Sequence, residues 1–127
     1  MMIIGSKNKF AFKIGKRSFG TVLRSIEIYI GNRLVTGSNN MVYLPSYIYA
    51  LEREYNALVA REINSKDIFM SLGDTTDNFC LRAILNNGSF IIKQYINETQ
   101  EIISVVPAGI LLRILKRTAK ILSKINA

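Results

Sequence analysis

A row of cationic side chains near the carboxyl end of the chain is the most prominent group with a chemical role. Their spacing of three and four residues puts them within an arc of roughly 100° on a helical wheel, with apolar residues on the other side. Such a face can bind phosphates, an anionic membrane or an acidic protein, or simply expose its lysines while the helix covers a sheet. The five cations are Arg113, Lys116, Arg117, Lys120 and Lys124.

A second candidate group is acidic. Asp67, Asp74 and Asp77 lie within residues 65–78, which we interpret as a loop. Aspartates in a loop can ligate a divalent cation or face a basic protein, but their spacing matches no calcium-binding loop. Aspartate is also a common turn residue. We therefore keep the three aspartates as an alternative binding surface and predict no metal site.

The residue types that usually carry catalysis are scarce. The 127 residues contain no His and a single Cys, Cys80. There is thus no imidazole general base, no zinc site that needs His and no internal disulfide. No glycine-rich phosphate-binding motif occurs, and Glu52 and Glu54 point to opposite sides of a helix. The sequence therefore predicts a protein that is not an enzyme, has no catalytic residues or cofactors, and acts by recognition.

Alternating apolar residues predict strands in both halves of the chain. Phe10, Phe12 and Ile14 share one face of the first strand, and residues 21–30 alternate in the same way. The Gly31-Asn32 link predicts a hairpin with a type II′ turn. In the second half, a turn at 86–88 that tolerates positive φ joins strands of a predicted three-stranded meander. The meander strands are 79–85, 90–96 and 100–106.

Helical periodicity predicts a central helix from about Ser46 to Ile63 and a carboxyl-terminal helix over 110–125. Together with the strands, these helices predict an α+β fold, in which an antiparallel sheet of about five to six strands packs with two main helices. The length fits one domain, and no linker or repeat interrupts it. We therefore expect a single domain over residues 1–127.

The net charge of +8 is unevenly distributed. Residues 1–33 carry +6 and residues 102–127 carry +5, whereas the segment between them carries −3. No signal peptide is recognisable, the longest apolar stretch is far shorter than the ~20 residues of a spanning helix, and the cationic helix lacks Trp and Phe anchors. We therefore expect a cytoplasmic protein without a membrane partner.

A small nucleic-acid-binding module is the main alternative interpretation. Its cations would contact phosphates, while Phe10, Phe12 or Phe19 would stack on bases. However, the first two share a face with Ile14, which favours burial in the core, and no nucleic-acid-binding motif is present. Nucleic acid is therefore not the expected partner. The amino-terminal cations of this interpretation are Lys7, Lys9, Lys13, Lys16 and Arg17.

Two stretches of the chain resemble a family of small bacterial immunity proteins. They are MIIGSKNKFAF at residues 2–12 and YIGNRLVTG at residues 29–37. The similarity is to immunity proteins of polymorphic toxin and contact-dependent growth inhibition (CDI) systems, in the family numbered forty-two among the immunity families. The predicted order of strands and helices agrees with this family, so the resemblance spans most of the chain.

The resemblance implies tight one-to-one binding to the toxic C-terminal domain of a cognate secreted effector. This heterodimer would block the active site or substrate surface of the toxin in the cytoplasm of the producing cell. Our hypothesis for the interface is the cationic helix face together with Lys16 and Arg17, which lie in a predicted turn over 15–20 between the first strands, against an acidic patch on the toxin. The alternative interface is Asp67, Asp74 and Asp77 against a basic toxin.

Overall fold

The computed structural model of the protein describes residues 2–17, 23–36, 40–64, 68–70, 81–97 and 99–126. Within these ranges the chain forms nine strands and two long helices, which confirms the predicted α+β fold. The elements are β1 (Met2–Ser6), β2 (Phe10–Arg17), β3 (Leu23–Ile30), β4 (Arg33–Leu34), β5 (Met41–Tyr43), α1 (Leu44–Asn64), β6 (Ile68–Met70), β7 (Leu81–Asn86), β8 (Ser89–Asn97), β9 (Gln100–Pro107) and α2 (Ala108–Asn126).

The described strands belong to two antiparallel sheets, where the sequence predicted one. The first sheet has the order β1-β2-β3-β4, with β5 also paired to β3, and the second has the order β6-β7-β8-β9. Nearly every pair joins strands that are consecutive in the chain, and α1 separates the two sets. Local hairpins therefore close within each half of the chain, so the halves form separate sheets.

The first sheet buries the apolar face that the alternation of apolar and other residues over 10–14 predicted. Phe10 and Phe12 of β2 lie opposite Ile30 and Ile28 of β3, and all four side chains are buried. Strand β1 adds to the other side of β2, with Ile4 opposite Phe12. Strand β1 was not predicted, because Ile4 is its only buried residue and the strand therefore shows no period-two pattern.

The hairpin at Gly31-Asn32 is confirmed, but its predicted turn type is wrong. Gly31 has a φ of +57° and Asn32 a φ of +66°. Positive φ at both central residues is typical of a type I′ turn, whereas type II′ needs it only at the first. Asparagine tolerates this left-handed conformation better than most residues do. The turn after β7 has the positive φ values that were predicted there, +52° at Asn87 and +79° at Gly88.

The second sheet contains a strand in the segment that we interpreted as a loop. Residues Ile68–Met70 form β6, which pairs antiparallel with Leu81–Ala83 of β7. The loop interpretation of residues 65–78 is therefore wrong for 68–70, where three apolar residues extend the sheet beyond β7. The alternative acidic surface, Asp67, Asp74 and Asp77, lies outside the described residues, as does Cys80.

Both predicted helices are present, and each begins two residues earlier than expected. Pro45 occupies the first turn of α1, where its missing N–H costs no helical hydrogen bond. The helices pack on each other, and Leu51 and Leu58 of α1 and Leu115 and Leu122 of α2 are fully buried in the same core. Helix α2 also contacts β1 and β2. In the described part of the chain, neither helix has the length and hydropathy required to cross a bilayer.

Candidate protein-binding surface

The cationic side chains of α2 face solvent, as their spacing predicted. Leu111, Leu115 and Leu122 on the opposite side are fully buried, because that side covers the core. Burial of the leucines orients the whole helix and leaves the cations outside. The exposed cations are Arg113, Lys116, Arg117, Lys120 and Lys124.

One side of this cationic face borders a groove between the two helices. The groove has a volume of about 430 Å³ and Ala119 among its lining residues. The Lys116 ammonium lies 5.7 Å from the centroid of the Tyr55 ring, within the range of a cation–π contact. Glu52 also lines the groove, so its charges are of both signs. The remaining lining residues are Asn56, Lys120 and Ser123.

The other side of the cationic face borders a groove between α2 and β1, which we call the edge groove. Its volume is about 540 Å³. The charged residues that line it are Lys9, Arg113 and Arg117, and no acidic side chain is among its lining residues. The other lining residues are Met2, Ile3, Ile4, Gly5, Ser6, Ile110, Ile114 and Ile121. The edge groove therefore combines positive charge with apolar walls.

Gly5 determines how closely α2 approaches β1. Its φ is +100°, a conformation that L residues with a side chain rarely adopt. A Cβ atom at this position would collide with the carbonyl oxygen of Phe10 and would lie 3.2 Å from Cδ1 of Ile114. Only glycine therefore fits between the strand and the helix at this point.

The structure does not place Lys16 and Arg17 in either groove. The predicted turn over 15–20 is wrong for residues 15–17, which continue β2, and Lys16 and Arg17 are exposed at the end of that strand, where Arg17 lies opposite Arg24 of β3. Lys9 does line the edge groove, although it was predicted only as a cation of the nucleic-acid alternative. Its position depends on β1, a strand for which the sequence shows no periodic signal.

Two of the three aromatic side chains needed by the nucleic-acid interpretation are not accessible. Phe10 and Phe12 are fully buried and contact each other edge to face, with ring centroids 5.4 Å apart and an interplanar angle of 81°. Neither ring can stack on a base. Phe19 lies outside the described residues. Within the described ranges there is also no group of three or more side chains suited to hold a metal ion.

Comparison with known proteins gives one structural match. No protein-family model matches the chain, and no curated protein matches it in sequence. The fold is similar to that of CdiI from Burkholderia dolosa AUO158. The TM-score is 0.67 at 13% sequence identity, and the alignment covers 92% of this chain and 97% of CdiI. The two proteins share a fold over almost their whole lengths, while membership of immunity family forty-two stays a prediction.

Proposed function

We propose that this protein is a CDI-type immunity protein, which binds and neutralises the toxic C-terminal domain of a cognate effector. The observation that carries the proposal is the similarity of fold to a CDI immunity protein, which extends over 92% of this chain and 97% of CdiI. The resemblance of residues 2–12 and 29–37 to immunity proteins supports the same conclusion, because it is a similarity of sequence and not of fold.

The proposed mechanism is steric. A folded domain that covers the active site or substrate surface of a toxin needs no catalytic group and no cofactor of its own. This requirement agrees with a sequence that contains no His and a single Cys. The expected product is a one-to-one heterodimer in the cytoplasm of the producing cell.

The proposed interface is the cationic face of α2, which the two grooves border. Exposed charges of one sign accelerate association with a surface of the opposite sign. We propose that Arg113, Lys116, Arg117, Lys120 and Lys124, with Lys16 and Arg17, face an acidic patch on the toxin. The acidic alternative, Asp67, Asp74 and Asp77 against a basic toxin, is the competing proposal.

Co-expression tests the proposed function. The proposal requires a gene for a cognate secreted effector, and the C-terminal domain of that effector would be induced in bacteria with and without this protein. We expect growth arrest without the protein and normal growth with it. Equal arrest in both cultures, with this protein present in folded form, would refute the proposal.

A salt titration with a generic single-stranded or duplex nucleic-acid probe distinguishes the nucleic-acid alternative from the proposed function. Binding through phosphates weakens steeply as the salt concentration rises and needs no protein partner. We expect no tight binding of a single-stranded probe at physiological salt, because Phe10 and Phe12 are buried and cannot supply the base stacking that such binding needs.

A further inference from the structure

We propose that the edge groove binds an extended, acidic segment of the toxin, which adds to the first sheet as a new strand beside β1. This inference rests on the proposed function and specifies how the partner is held. Three features of the groove support it: the free edge of a strand, the dimensions of the groove and the sign of its charge.

Strand β1 is an edge strand of the first sheet. Among the described strands it pairs with β2 alone. An edge strand leaves alternate backbone N–H and C=O groups without a partner in the sheet, and these groups are a template for a further strand. Peptide recognition by strand addition uses such an edge, with pockets alongside for alternate side chains.

The edge groove runs along β1 rather than over one of its faces. Its walls include five consecutive residues of the strand, 2–6. Successive side chains of a strand point to opposite faces, so a groove that touches all five follows the edge. The four steps from Met2 to Ser6 rise about 14 Å, and the eleven steps from Ile110 to Ile121 of α2 rise about 16 Å, so the two walls have similar lengths. The groove therefore fits an extended segment of roughly five residues.

The apolar and cationic residues that line the edge groove indicate which side chains that segment would carry. Met2 and Ile3 are 41% and 49% exposed, which leaves apolar surface for a partner to cover. The charges of the groove are Lys9, Arg113 and Arg117, and arginine binds carboxylates in a bidentate geometry. A segment that alternates apolar residues with Asp or Glu would satisfy both features.

A second copy of this chain is a poor occupant of the same groove. Strand β1 contains no acidic residue, and a symmetric pair would bring two sets of Lys9, Arg113 and Arg117 together. Like charges at an interface oppose association. An acidic toxin segment has the opposite charge and is therefore the occupant that we propose.

Two matched double variants test the use of the edge groove. Arg113→Glu/Arg117→Glu reverses its charge, and Lys116→Glu/Lys120→Glu makes the same change in net charge on the α1 side of the same helix. Lys116 and Lys120 belong to the proposed cationic interface but lie outside the edge groove, so we expect both pairs to weaken toxin binding, the first roughly a hundredfold and the second roughly tenfold. Circular dichroism would confirm that both variants are folded.

Amide hydrogen exchange tests whether a strand is added. In the complex, the outward-facing amides among residues 3–6 should exchange at least roughly tenfold more slowly than in the free protein. Equal losses of affinity in the two double variants, or unchanged exchange along β1, would overturn the inference while the proposed function stands. Concentration-dependent protection in the free protein would instead identify a second copy as the occupant and would also overturn it.

The two proposals fail in different ways. If wild-type protein does not bind the toxin domain at all, the proposed function fails and the inference falls with it. If wild-type protein binds and protects cells but β1 is unchanged, only the inference fails.

Discussion

Arg33 of β4 and Gln94 of β8 join the two sheets through a hydrogen bond. The Arg33 Nη1 atom donates to Oε1 of Gln94 at 3.0 Å, and its Nη2 atom donates to Oγ of Ser104 on β9 at 3.2 Å. A planar guanidinium is suited to this forked contact, because its two nitrogens donate in a fixed geometry. Arg33 therefore links two sheets that are otherwise built from local hairpins.

Replacement of Arg33 by Lys should weaken this link. A single ammonium cannot reproduce the two directed hydrogen bonds, so we expect Arg33→Lys to lower the free energy of unfolding by about 1 kcal/mol. Urea denaturation measures the change. The control is Arg53→Lys on α1, where the cation lies over the Tyr49 ring and Lys can replace it. Equal effects of the two substitutions would show that the Arg33 fork does not stabilise the fold.

Gly5 should be far less tolerant of alanine than Gly88. Both have positive φ, but a Cβ at Gly88 meets no atom within 4 Å, whereas at Gly5 it collides with Phe10. We expect Gly88→Ala to cost about 1 kcal/mol and Gly5→Ala to cost more than about 2 kcal/mol of unfolding free energy. Similar costs, measured by urea denaturation, would contradict the close contact of Gly5 with Phe10.

Tyr47 should make the fold sensitive to alkaline pH. Burial raises the pKa of its phenol well above the ordinary value of 10.0, because the charged form is poorly solvated inside the core. Above pH 10 the unfolded chain releases this proton while the folded chain retains it. The free energy of unfolding therefore falls, by about 1.4 kcal/mol per pH unit for this group. Urea denaturation at pH 9 to 11 should show a shallower decline for Tyr47→Phe, and identical slopes would refute the assignment.

Reversal of charge on α2 should abolish protection without unfolding the protein. The variant Lys116→Glu/Arg117→Glu/Lys120→Glu changes exposed side chains only, so its thermal unfolding midpoint should stay near that of the wild type. Growth in the presence of the toxin domain is the readout. The control, Lys116→Arg/Arg117→Lys/Lys120→Arg, retains each charge and should protect cells. Full protection by the reversed variant would exclude this face as the interface.

The periodic spacing of apolar and charged residues predicted those features of the fold that depend on a single strand or helix. The alternation of Phe10, Phe12 and Ile14 predicted their burial, and the spacing of the α2 cations predicted an exposed stripe. Strand β1 was missed because neighbours of Ile4 on both sides are exposed. No local pattern therefore distinguishes this segment from a loop.

The edge groove could not be predicted because it joins distant parts of the chain. Gly5 and Ile114 are neighbours in the fold although both sheets and α1 lie largely between them in the sequence. The spacing of the cations predicted that Arg113 and Lys116 lie on one side of the helix. In the fold, Arg113 lines the groove beside β1 and Lys116 lines the groove beside α1, and this difference depends on tertiary contacts. The division of the strands into two sheets likewise depends on which strands pair with each other, and the tendency of each segment to form a strand does not determine this.

The affinity of the purified protein for the C-terminal domain of its cognate effector tests the central claim most directly. Isothermal titration calorimetry at physiological salt would measure both the affinity and the stoichiometry. Neutralisation by steric block predicts a one-to-one complex with a dissociation constant of about 1 nM or below, which corresponds to roughly 12 kcal/mol of binding free energy. No detectable binding between the two folded proteins would contradict the account.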